Sequence, residues 1–231
     1  FLGKIVIKII NHLFNVKFIF ISKKIAMNLK IKNYQVFIPN INLNFWKVYK
    51  INKNKNFTMT CIGNLNKVKN YIQLINFLKK INFKFTLNIV GQKLLTQINY
   101  FNKLKNQVDL FNKNHHSKII LHGKKNKLEI KKILNNTSIF ILPSITEGLS
   151  ISLLEAMSMK RICLVSEDSN SSKIINKNNG FIFELNDESF LKKINKIKKL
   201  NKKQIIKIGR LARKKVEKLI KNYNYLLIDK V

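Results

Sequence analysis

From Asn56 onward, short apolar or β-branched runs alternate with longer stretches of helical period, and this alternation constrains the fold of the 231-residue chain more than any other feature. Strands are expected at Phe57 to Ile62, Phe85 to Val90, Lys118 to Leu121, Ser138 to Leu142, Ile162 to Val165 and Phe181 to Phe183. Helices are expected at Asn70 to Lys80, Leu95 to Phe111, Lys127 to Asn135, Ile151 to Met159, Ser171 to Ile175 and Glu188 to Lys199. Alternation of this kind predicts a Rossmann-like, doubly wound α/β domain, with a parallel sheet covered on both faces. Most of the 7 glycines mark strand ends: Gly63, Gly91, Gly123 and Gly148 follow strand runs, and Gly180 precedes one. Such sheets bind ligands at the carboxyl ends of their strands, where small residues admit close backbone approach. These turns are therefore expected to cluster on one rim.

Residues 1–55 read differently. KFIFIS (Lys17 to Ser22), a short helix at Lys23 to Leu29 and VFIPN (Val36 to Asn40) predict one strand-helix-strand unit, too little to stand alone. It reads as the end of a preceding domain plus a linker, and a chain opening on Phe1 is expected to lack its original N-terminus. At the other end, Lys202 to Asn222 is basic and amphipathic, with apolar Ile205, Ile206, Ile208, Leu211, Val216 and Leu219. A helix packing across a domain boundary is the preferred reading, a membrane-surface helix the alternative. The resulting division is 1–55, 56–200 and 201–231. No apolar run approaches the ~18 residues of a membrane span, and there is no signal-peptide pattern.

Lys and Arg number 45 against 11 Asp and Glu, a formal charge of +34. Such a charge ordinarily points to nucleic acid or an anionic membrane surface. However, the chain is crowded with Lys, Asn, Ile and Phe, whose codons are A+T-rich, and holds only three arginines: Arg161, Arg210 and Arg213. Arginine is the favoured residue for bidentate phosphate and guanine recognition, so codon bias accounts for the charge better than a nucleic-acid surface does. Contact with an anionic membrane is compatible with either origin. Cys61 and Cys163 lie in apolar runs and read as small core residues in a reducing compartment.

Against that basic background, PSITEGLSISLLEAM (Pro143 to Met157) places two acids, Glu147 and Glu155, around a glycine turn with seven residues between them. A strand ends at Leu142 and a helix begins near Ser150 or Ser152, so unpaired N–H groups and the positive dipole end face the rim and suit a phosphate. A carboxylate there can accept both hydroxyl protons of a vicinal diol, as ribose and hexose present. A purely structural alternative is a capping box, Ser152 to Glu155, with Ile151 and Ala156 as a hydrophobic staple.

The stretch TEGLSISLLEAM is similar to the E-G-x-x-x-x-x-x-E-A signature of retaining GT-B glycosyltransferases, a family that includes sucrose synthase and many bacterial lipopolysaccharide and capsule sugar transferases. Other segments match in order. VFIPNINLN resembles the I-P-N-G linker, with Ile41 where Gly is usual, and CIGNLNKVKN resembles G-R-L-x-x-x-K-N. LNIVGQ, the run Ile119 to Ser144 and NNGFIFEL follow. The resemblance covers the C-terminal domain of such an enzyme and a remnant of the N-terminal domain. Most of the domain that supplies the acceptor site is expected to lie outside the chain.

What the resemblance implies is specific. Glu155 holds the ribose hydroxyls of a nucleotide, and Glu147 lies near the transferred sugar. The backbone of Gly148, Leu149 and Ser150 holds the diphosphate, and Lys69 pairs with it as it leaves. Gly63 and Asn64 complete the donor site, Asn64 standing where Arg is usual, with Lys67 as a compensating cation. The expected activity is transfer of a hexose, with retention, from a nucleoside-diphosphate sugar to a glycan or glycolipid acceptor. It needs no cofactor and no metal, since no Asp-x-Asp pair is present. A cytoplasmic enzyme, peripheral at the inner face of the cell membrane and free of nucleic acid, is the corresponding setting. The alternative is a noncatalytic remnant that binds nucleotide sugar. His115 and His116 read as a solvated loop, and His122 as a weak donor on the ligand rim.

Overall fold

The computed structural model describes residues 18–20, 34–36, 41–48 and 57–228, side chains from 41 to 221 except Asn170. The chain forms two compact units, residues 1–40 with 218–231, and residues 41–217. In the smaller, β1 (Phe18–Phe20) pairs in parallel with β2 (Tyr34–Val36). Parallel neighbours need a crossover between them; the expected helix at Lys23 to Leu29 lies outside the described residues.

The larger unit is built on a six-stranded parallel sheet: β3 (Phe57–Ile62), β4 (Phe85–Val90), β5 (Lys118–Leu121), β6 (Ile139–Leu142), β7 (Ile162–Ser166) and β8 (Phe181–Phe183). The strand order is β5-β4-β3-β6-β7-β8, so the winding reverses between β3 and β6. Its helices are α1 (Tyr71–Leu78), α2 (Ile98–Asn114), α3 (Lys127–Asn135), α4 (Ile151–Ser158), α5 (Asp187–Lys198) and the long α6 (Lys202–Ile228), whose residues up to Glu217 belong to this unit. The strands are apolar because both faces are covered: Met59, Leu87, Ile89, Ile141 and Leu164 are buried with Leu74 and Phe190 from α1 and α5. At about 25 cal/mol per Å² of apolar surface, a core of this kind is the main driving force for the unit.

Several expectations are corrected by the structure. The segment Leu95 to Phe111 is a 3-10 turn, Leu95–Gln97, followed by α2, which runs on to Asn114. Ser171 to Ile175 is a 3-10 helix over Asn170–Ile174, with Ser169 as its N-cap. Gly180 lies on the opposite rim from the other glycines, because β8 is parallel and the residue before a parallel strand sits at its amino end. A Cβ on Gly180 would come within 3.0 Å of the Cys163 carbonyl oxygen, near the start of β7. The remaining glycines mentioned follow their strands, and three rim turns are zipped together: Gly63 N–H donates to Val90 O and Gly91 N–H to Gly123 O, each at 2.9 Å.

The division at 40/41 and 217/218 differs from the one read at 55/56 and 200/201, and Trp46 and Arg213 account for it. Trp46 is buried, and Arg213 on α6 donates to the carbonyls of Trp46 (2.9 Å), Leu43 (3.2 Å) and Ser158 (2.8 Å). One guanidinium thus ties residues 41–48 and α6 to the end of α4. Gly209 lets α6 come close, since a Cβ there would lie 2.4 Å from Lys160 O. Among the described residues, no helix is long and apolar enough to cross a membrane.

Candidate functional site

At the carboxyl ends of β3 and β6, where the strand order reverses, lies a cleft of about 360 Å³. The β3 side contributes Ile62, Gly63, Asn64 and Lys69, and the β6 side Glu147, Leu149, Ser150 and, from α4, Ile151, Ser152 and Glu155. The fold therefore brings together all but one of the residues expected at a donor site. The exception is Gly148, whose carbonyl oxygen turns inward to accept from Ser171 Oγ at 2.9 Å. Lys67 is exposed and does not line the cleft, so it does not make up for Asn64.

Lys69 is placed by a 3-10 turn, Lys67–Lys69, capped by Asn66, whose side chain accepts from Lys69 N–H at 3.1 Å. The turn ends at Asn70, which holds a left-handed φ of 56°, a conformation Asn adopts more readily than most residues. Lys69 Nζ then reaches Glu147 Oε1 at 2.5 Å, while Ser144 Oγ donates to the other carboxylate oxygen at 2.9 Å. Both side chains are largely buried, at 13% and 18% exposure, so the pair is little screened by solvent. Gly63 makes room for it: a Cβ there would lie 2.8 Å from Lys69 Cε, and Gly63 O accepts from the Tyr71 hydroxyl at 3.0 Å.

Glu155 stands differently. It is 8% exposed and has no hydrogen-bond or ion-pair partner among the described residues. Burial raises its carboxyl from the usual carboxylate range to about 7, opposed only in part by the charge of Lys127. The capping-box alternative is not realised, because the N-cap is Ser150, one residue before the helix start at Ile151. Glu155 is thus in the second turn of α4, out of reach of a capping role. Ser152 instead donates to Ile62 O at 2.9 Å, fastening α4 to the end of β3, and Ile151 is half exposed rather than packed as a staple. Its oxygens open onto the cleft, since the fully buried side-chain polar atom without a partner among the described residues is Arg161 Nη2. A carboxylate so largely desolvated is costly to ionise and is open to hydroxyl donors from a ligand.

Ser150 N–H, expected to face a diphosphate, is already committed: it donates to Ser171 Oγ at 2.9 Å. The Leu149 N–H beside it has no partner among the described residues. Ser171 was missed by sequence reasoning, and no local signal could have found it. Its hydroxyl meets the turn only because β6 and β7 are neighbours.

The other candidates are structural. His122 pairs through Nε2 with Asn88 Oδ1 at 2.8 Å and does not line the cleft; burial and then Lys125 lower its pKa. His115 is no free loop residue. It stacks on Phe111 and accepts from Ser117 N–H through Nδ1 at 3.0 Å. Cys61 and Cys163 are buried thiols whose pKa values burial pushes up. Arg161 is buried between carbonyls of Asn135, Thr137 and Met159, and burial lowers its pKa to about 10.

A Rossmann-like sheet with its cleft at the switch point defines the nucleotide-binding type of α/β domain. Residues 41–204 match the family model of glycosyl transferases group 1, and the chain belongs to that family. A curated relative, the UDP-Gal:alpha-D-GlcNAc-diphosphoundecaprenol alpha-1,3-galactosyltransferase of Escherichia coli, is 31% identical over 117 residues, 49% of this chain and 28% of the relative. The structure is similar to a glycosyltransferase from Rickettsia africae (TM-score 0.80, 18% identity, 95% of this chain and 65% of that one). It is also similar to Anabaena HepE in complex with UDP and glucose (TM-score 0.77, 14% identity, 92% and 62%). The C-terminal domain of a glycosyl transferase group 1 family protein from Francisella tularensis aligns over 97% of its length and 78% of this chain, with TM-score 0.63 and 18% identity. These likenesses support a GT-B type, Rossmann-like α/β fold for the chain. The chain spans 28% of the curated relative and 65% of the Rickettsia structure.

Proposed function

We propose that this chain is the donor-binding part of a retaining glycosyltransferase, which moves a hexose from a nucleoside-diphosphate sugar to a glycan or glycolipid acceptor. The observation that carries the reading is Glu155: a largely buried carboxylate without a protein partner among the described residues, opening onto a cleft that also holds a lysine and the unpaired Leu149 N–H. A ribose diol supplies what Glu155 lacks, two hydroxyl donors for one carboxylate. Lys69 sits where it can exchange Glu147 for the leaving diphosphate, and Leu149 N–H adds a donor beside it. Glu147, released by that exchange, faces the sugar and favours positive charge developing at the anomeric carbon. The reaction in this reading uses no metal, Lys69 and the turn before α4 carrying the charge of the leaving group. The UDP in the Anabaena neighbour and the UDP-linked donor of the Escherichia coli relative support a nucleotide-sugar partner. The acceptor in this reading is a glycan or glycolipid, with a contact to an anionic membrane surface as its setting.

Titration of the chain with UDP- and GDP-sugars tests this reading. Saturable binding below millimolar is expected, lost in Glu155→Gln, and a folded sample that binds neither donor at millimolar concentration sinks it. A second reading, a remnant that binds the donor without transferring it, is favoured by Asn64, exposed on the cleft wall with no charge where the family has a cation. Donor hydrolysis and transfer, measured on the chain alone and on one extended by a full N-terminal domain, separate the two: only transfer by the extended chain agrees with an enzyme.

A further inference from the structure

We infer that Ser171 is the positioning residue of the donor site, a hydroxyl that fixes the Gly148–Leu149–Ser150 turn so that one backbone N–H is aimed at the diphosphate. The inference rests on the donor-binding reading above. Ser171 is fully buried in the 3-10 helix that follows β7, with its own N–H bonded to Ser169 Oγ at 3.2 Å. Its hydroxyl makes two bonds to the neighbouring turn. It donates to Gly148 O at 2.9 Å and accepts from Ser150 N–H at 2.9 Å.

Two bonds to one oxygen set two peptide planes. In a trans peptide the C=O and the following N–H point in opposite directions, and no peptide bond among the described residues is cis. With Gly148 C=O turned toward Ser171, Leu149 N–H must point away from it, and Leu149 lines the cleft. That N–H has no partner among the described residues. A donor held by the fold and left unpaired at the edge of a cleft is preorganised for an anion, because the ligand does not have to order it. Freed from Ser171, the turn can rotate both planes and satisfy Leu149 N–H elsewhere. The bonds span from residue 148 to residue 171, so the turn is held by tertiary structure rather than by its own sequence.

The test compares UMP with UDP, and GMP with GDP, by NMR titration of the wild-type chain and of Ser171→Ala and Ser171→Cys. The second variant keeps nearly the original volume should the first fail to fold, and circular dichroism checks both. The expected result is a five- to twentyfold loss of diphosphate affinity with monophosphate affinity changed less than twofold. A merely structural serine would weaken both ligands together or neither, and either outcome in a folded variant overturns the role of Ser171 while leaving the donor reading intact. Wild-type chain that binds none of the four nucleotides overturns both at once.

Discussion

Glu155→Gln should raise the stability of the unliganded protein at alkaline pH while removing its affinity for nucleotide. The carboxyl is buried, and its pKa is about 7 against 4.5 for an unperturbed side chain. A group whose folded-state pKa is raised contributes fully to stability below its unfolded pKa and loses that contribution as pH rises through the folded one. The loss here runs from pH 4.5 to about 7 and amounts to about 3 kcal/mol at pH 8. Glutamine keeps the shape and does not titrate, so the two proteins should be equally stable near pH 4.5 and differ by about 2–3 kcal/mol at pH 8. For a unit of this size that is a rise in Tm of about 4–12 °C. Thermal unfolding followed by circular dichroism at pH 4.5, 6 and 8, without nucleotide, reads the difference directly. A variant less stable than wild type at pH 8, or a Tm difference that does not change with pH, would show that the carboxylate is satisfied within the protein, and the case for a waiting ligand would fall.

Gly91→Ala should unfold the rim of the cleft, since the new Cβ would lie 1.9 Å from Gly63 O on the adjoining strand end. A loss of more than about 3 kcal/mol in urea unfolding is expected, and a stable variant would mean that β3 and β4 can part without harm. Asn64→Arg should tighten nucleoside-diphosphate binding about three- to tenfold by restoring a charge-assisted donor at the cleft wall, as measured by titration; unchanged affinity would remove Asn64 as the reason to favour a remnant. Arg213→Met should destabilise the larger unit by about 2–4 kcal/mol, because three carbonyls lose a charged donor. Urea midpoints unaltered by that change would dissociate residues 41–48 from α6.

The strands were legible because each is a run of mainly apolar or β-branched residues bounded by a turn, and four of the six have the bounds read from the residues. The cleft was legible for a related reason, since its acids stand out in a chain with 11 of them against 45 basic residues. What escaped was any feature set by adjacency in space. Lys69 and Glu147 meet across 78 residues, and neither position implies the other. Ser171 reads as one more polar residue in a serine-rich loop until β7 is placed beside β6. The capping alternative Ser-x-x-Glu fails for a local reason: the helix starts before Ser152, which moves Glu155 beyond the first turn. Gly180 was misplaced because a glycine before a strand and one after it look alike in sequence, and parallel strands put them at opposite edges.

The Lys69–Glu147 pair has a meaning for selectivity in a chain of formal charge +34. A bare cationic cleft on such a protein would be a sink for every polyanion in the cell. This cleft neutralises its own lysine and keeps a further carboxylate, Glu155, close by. An inorganic phosphate or an RNA backbone arriving there would have to displace one acid and face another, with nothing to give either. In the donor reading, a nucleotide sugar brings hydroxyls for both acids along with oxygens for the lysine. In that reading the site discriminates by the joint presence of diol and diphosphate, and the rest of the surface is free to drift toward lysine without flooding it with competitors.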